Sequence, residues 1–211
     1  MQVVTSGAQA ELGRALGGYI NVVTKSGSNT FRGTVYDFVR DDRLNAANTL
    51  SGTTLPMSQA QFGGSAGGPI AKNRTFYFAN AEQRVLDQTG LVTIADANVS
   101  VINAKLALSG YQGPRPTTGM YPNPVHSLNV IAKIDHQVGS RDQMSIRYSR
   151  YGVSADNSRG AGGLSAPTAA SNLDNTDQAI AFGNTLILSP RTVLETRAQF
   201  AYSDLMAPPS D

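Results

Sequence analysis

A chain of 211 residues is long enough for one sizeable domain or two small ones. Only 15% of its residues are charged, against roughly 25% in soluble domains, while 40% are hydrophobic and 21 are glycine; β-structure with long loops suits that composition better than a helical bundle. A formal charge of +2 from scattered Lys and Arg gives no nucleic-acid footprint, and the absence of Cys excludes disulfides and thiolate metal sites.

Residues 1–16 carry apolar positions without a strong period, compatible with a short helix or an irregular segment. Met1-Gln2-Val3-Val4 lacks a basic leader region with an apolar stretch behind it, and no run approaches the roughly 18 apolar residues of a spanning helix. Taken alone, that reads as unexported. After Gly17-Gly18, the stretch 19–24 (YINVVT) reads as a strand closed by Lys25-Ser26-Gly27-Ser28-Asn29.

From Phe31 onward the chain alternates extended segments with turns. The first, 30–40, sets Thr34, Tyr36 and Phe38 against Val35, Asp37 and Val39, and a polar loop follows to about residue 58. Residues 61–83 (QFGGSAGGPIAKNRTFYFANAEQ) read as a hairpin. Its Gly and Pro disfavour a helix, Lys72-Asn73-Arg74 supplies a charged turn, and Thr75-Phe76-Tyr77-Phe78 suits a pleated surface. A long connection, about 84–126, holds a candidate helix over 99–108 and the irregular GYQGPRPTTGMYPNPV.

Two further hairpins follow: 128–136 with 143–151, turning at 138–142, and 178–188 with 192–202, turning at Ser189-Pro190-Arg191. Between them lies a third long loop, about 152–176. Their alternation is strict. Leu128, Val130, Ala132 and Ile134 oppose Asn129, Lys133 and Asp135. Met144, Ile146 and Tyr148 oppose Gln143, Ser145, Arg147 and Ser149. Leu194, Thr196, Ala198, Phe200 and Tyr202 oppose Glu195, Arg197 and Gln199.

Segments of about nine to eleven residues exceed the usual five or six and match a tilted bilayer-spanning strand. Connections that alternate short and long are a property of outer-membrane barrels, with short periplasmic turns and long outer loops. The fold class expected is therefore all-β: a partial antiparallel transmembrane barrel of about seven strands. A free-standing soluble β-domain for adhesion or carbohydrate binding is the alternative.

Few motifs carry chemistry. Gly63-Gly64-Ser65-Ala66-Gly67 fits the G-x-S-x-G of a hydrolase elbow, yet the elbow needs a helix after its turn and Gly67-Gly68-Pro69 follows instead. Gly160-Ala161-Gly162-Gly163 lacks the Lys-Ser/Thr of a phosphate loop. His126 and His136 stand apart from clustered carboxylates, so no metal or cofactor site is assigned. Asp37, Asn80 and Glu82 are candidate lumen-facing residues, equally suited to the ordinary wet interior of a barrel.

Gly17-Gly18-Tyr19-Ile20-Asn21-Val22-Val23-Thr24-Lys25-Ser26-Gly27 resembles the end of the plug domain of TonB-dependent outer-membrane receptors. Phe31-Arg32-Gly33 through Phe38-Val39-Arg40-Asp41-Asp42 looks like the first barrel strand of their Oar-like branch. Gln61-Phe62-Gly63-Gly64, Gly67-Gly68-Pro69-Ile70, Lys72-Asn73-Arg74-Thr75-Phe76-Tyr77-Phe78 and Glu82 resemble that branch's next hairpin.

The resemblance implies a plug end over 1–29 and the first part of a barrel over 30–211, a piece of a longer protein, since an odd, unclosed sheet leaves unpaired edges in lipid. It further implies a bacterial outer-membrane location, TonB-energised uptake of a scarce metal chelate, vitamin or glycan, and no enzymatic activity. Lys72, Asn73 and Arg74 become a periplasmic turn with Phe76 and Tyr77 in an interfacial girdle. Tyr77, Ala79 and Ala81 then face lipid, with Asn80 and Glu82 toward the lumen.

Overall fold

The computed structural model describes residues 2–4, 19–21, 23–47, 52 and 54–210. The expectation for residues 1–16 falls outside this set except at Gln2–Val4, which form β1. That strand pairs antiparallel with β2 (Tyr19–Asn21). Val23 and Thr24, expected to continue β2, lie outside it.

The main sheet is antiparallel throughout. Its strands are β3 (Arg32–Asp41), β4 (Met57–Ala71), β5 (Thr75–Val92), β7 (Val125–Gly139), β8 (Asp142–Arg159), β9 (Ser171–Ser189) and β10 (Thr192–Met206). They lie side by side in chain order, with the four-residue β6 (Gly119–Pro122) added to the far end of β5. A helix, α1 (Asp96–Leu108), stands between β5 and β6 and begins three residues earlier than its sequence pattern suggested. The sheet stays open among the described residues, with β3 and β10 as its edges.

The seven main strands are those expected, but most are longer. β5 continues nine residues past Gln83 and β9 begins seven before Gln178. The reason is physical. Beyond the apolar band a strand needs only its backbone partners, not one greasy face, so the alternation fades while the pairing persists.

The short turns do not sit on one row of the ladder. Thr75, beside the first, leads through His136 and Met144 to Asn184, whereas the third turn begins at Ser189, five residues on (189 − 184 = 5). Thr75 and Ser189 stand on strands three spacings apart, β5 and β9. At about 4.8 Å per spacing and about 3.3 Å per residue, they are level only if the strands lean by roughly 49°, a little steeper than the lean of about 35–45° typical of barrel strands.

Burial is concentrated at the end that carries the long loops. Leu86, Val92, Val99, Tyr121, Ala155, Ala166 and Ala170 are the buried hydrophobic residues among those described. They belong to the far ends of β5 and β8, to α1, to β6 and to the 160–170 loop. Tyr121 lies over Gly90, its partner in the ladder, where a β-carbon would stand 2.2 Å from the ring. The loop is pinned to β5 by Gly163 N–H donating to the Leu91 carbonyl (2.9 Å) and Thr93 N–H to the Gly163 carbonyl (2.7 Å). Gly163 makes that contact at a φ of +59°, and Gly162 before it, whose N–H donates to the Ser165 carbonyl, holds +106°, where glycine is favoured.

Candidate lumen-lining face

Register sorts the sheet into two surfaces. One row runs Tyr77, Ile134, Ile146, Phe182, Ala198, and the next runs Ala79, Ala132, Tyr148, Ile180, Phe200. Val35, Val39 and Phe62 share this surface on β3 and β4. It is apolar and uncovered: Val35 is 89% exposed and Phe200 71%. A soluble sandwich would bury such a face, whereas a lipid-facing wall leaves it to the bilayer.

The opposite surface is polar. One of its rows runs Gly63, Glu82, Asn129, Tyr151, Asp177, Ser203; another runs Gly67, Phe78, Lys133, Arg147, Ala181, Gln199. Tyr36 reaches from β3 over Gly63 of β4 and donates its hydroxyl proton to Glu82 of β5. Only glycine allows that crossing, because a β-carbon on residue 63 would meet the Tyr36 hydroxyl at 2.8 Å and the Ala81 carbonyl at 2.6 Å. Lys133 pairs with Asp135 at 3.0 Å, and Asn175 and Ser203 donate to the two oxygens of Asp177.

The three residues singled out from sequence divide. Asn80 and Glu82 share the polar surface, Asn80 standing opposite Ser65 and Ile131. Asp37 does not join them. It pairs with Phe62 and stands with Val35 and Val39 on the apolar surface, exposed, toward the long-loop end of β3. Strict alternation along β3 already required this, since Asp37 has the parity of its valine neighbours.

The polar surface also carries the segment that enters the sheet. Thr24 and Lys25, with Thr34, Tyr36, Ser65, Phe78, Asn80 and Ile131, line an open cavity of about 320 Å³. A larger recess of about 570 Å³ lies at the loop end, between Asp42, Met57, Asp87 and Tyr121.

Ser65 lies within the unbroken strand β4, flanked by Thr34 and Asn80, with no turn or helix to make it a nucleophile elbow. The histidines sit toward opposite ends of β7. His136 bonds to Thr75 (2.8 Å) and His126 to Asp87 (3.3 Å), so neither serves Ser65 as a base. Among the described residues no group of three or more His, Asp or Glu side chains is placed to hold a metal ion. No helix there is long and apolar enough to cross a membrane, which says nothing of crossing by strands.

A leaning antiparallel sheet, apolar and bare on one side and polar on the other, defines a wall of a membrane β-barrel. The chain belongs to the outer membrane beta barrel domain family, whose model matches residues 23–126 and 112–211, and it is thereby assigned to the bacterial outer membrane. It is also 33% identical over 87 residues to the TonB-dependent transporter Oar of Myxococcus xanthus, a match covering 37% of this chain and 8% of that protein. The similarity bears out the receptor-like resemblance of the sequence. The chain spans about 8% of the length of the relative it matches. No solved structure matches it.

Proposed function

We propose that residues 30–211 are the opening strands of the barrel of a TonB-dependent outer-membrane receptor and that residues 1–29 are the end of its plug. The intact protein takes up a scarce ligand, a metal chelate, vitamin or glycan, with energy from the TonB complex. In this reading the polar surface is the lumen wall, Asn80 and Glu82 line it, and the long-loop end faces outward to meet the ligand. The observation that carries the reading is the seating of residues 23–30 on the polar surface beside Asn80, where a plug would enter. Similarity to a TonB-dependent transporter supports it. A soluble adhesion or carbohydrate-binding domain is disfavoured by the bare apolar surface.

Uptake of labelled ferric chelates, cobalamin and oligosaccharides by cells with the gene intact or disrupted tests the reading. Disruption should abolish accumulation of one member of the panel, and collapsing the proton-motive force should abolish the same one. Unchanged uptake of every member would contradict it.

A further inference from the structure

Residues 23–30 have no regular structure, yet their contacts with the sheet are long in sequence and fall at two places. Lys133, on the polar surface of β7, donates its ammonium to Ser26 Oγ at 2.8 Å while paired with Asp135 Oδ1 at 3.0 Å. Asn29 exchanges two bonds with Asn73 in the first short turn. Its amide donates to Asn73 Oδ1 (2.6 Å), and the Asn73 backbone N–H donates to Asn29 Oδ1 (2.7 Å). Asn73 holds a φ of +61°, which presents its N–H to the strap and which Asn tolerates.

Between these points the chain presses on backbone. A β-carbon on Gly27 would lie 2.2 Å from the Tyr77 carbonyl and 2.8 Å from that of Gly68, and one on Gly67 would touch the Gly27 Cα at 3.5 Å. The glycine-rich face of β4 is therefore a seat for a second backbone. Lys133 is itself largely enclosed, its side chain 16% exposed, and Asp135 beside it is 7% exposed with Oδ2 unbonded among the described residues. Asp135 holds the ammonium over Ser26 and is a positioning residue.

We propose that residues 23–30 are a strap clamped to the sheet by Lys133 and Asn73, with Gly27 seated on Gly67 and Gly68. The strap is a fixed anchor that holds the Ser26–Asn29 stretch in place on the sheet. Nothing in this depends on the ligand or on energy coupling.

Lys25, inside the strap and exposed, gives a direct readout: the rate of tryptic cleavage after it in opened outer-membrane fragments holding the full protein, followed by mass spectrometry. Cleavage of a held segment tracks its opening equilibrium. Lys133→Met should speed cleavage at Lys25 by about five-fold, the factor that matches about 1 kcal/mol for one hydrogen bond. Lys133→Arg keeps a donor and should restore slow cleavage. Asp135→Asn should fall between. Arg147→Met removes a neighbouring cation with no bond to the strap and should leave the rate unchanged. Cleavage at Arg191, in a distant turn, should stay constant in all. An unchanged rate at Lys25 in Lys133→Met, or an equal rise at Lys25 and Arg191, would overturn the proposal.

Discussion

The two ends of the sheet are built on different principles. Around Ile146, Phe182 and Ala198 the wall is one layer thick, and no large side chain among the described residues is fully enclosed. At the loop end Tyr121, Val99, Leu86 and Ala170 are each buried, in β6, α1, β5 and the 160–170 loop. A single layer has nothing to bury its apolar face against, so the band depends on lipid for stability. The loop end supplies its own partners. Order there follows ordinary protein packing, and order in the band follows from the solvent.

That contrast sets how substitutions should behave. The largest effect should come from placing a charge on the apolar band. Ile146→Arg should cost about 2–4 kcal/mol, the range for Arg toward the bilayer midplane, measured by urea titration of the protein in vesicles. Hydrogen exchange at the loop-end core should hardly change. Gly90→Ala reverses the pattern. Its new methyl group meets the Tyr121 ring and should cost about 1–3 kcal/mol as overpacking. Amides of Leu91 and Val92 should exchange faster while the band keeps its urea midpoint.

Tyr36→Phe removes the bond to Glu82 across Gly63 and should destabilise the protein by less than Gly90→Ala does, because one side-chain bond is lost and no atom is added. A Glu82→Gln background should shrink that loss in a double-mutant cycle. The smallest effect belongs to Gln143→Arg, three residues from Ile146 but on the polar surface. It should stay within about 0.5 kcal/mol.

Much of this was legible in the chain. Alternation in β7, β8 and β10 assigned lipid-side and polar-side residues as the register later paired them, because one bare apolar face forces a period of two. The short turns were legible from Lys72-Asn73-Arg74 and Ser189-Pro190-Arg191. β6 was not: four residues in a run of Gly and Pro offer no period, and it exists only because β5 presents a free edge above the band. At Asp37 charge and parity point to opposite faces, and parity with Val35 and Val39 wins because the register fixes the face of every second residue. The Tyr36–Glu82 bond joins residues 46 apart in sequence and needs the register of three strands to be seen. Gly63 was its one local signal, as a strand glycine marking close approach.

The central claim is that one surface of this sheet meets lipid and the other water. Single cysteines can be introduced one at a time from 143 to 149 into a chain that has none, spin-labelled, and probed in bilayers with oxygen and with a water-soluble nickel chelate. Positions 144, 146 and 148 should favour oxygen, and 143, 145, 147 and 149 the chelate, with a period of two. Equal accessibility to the chelate at both sets, or no alternation, would contradict the account.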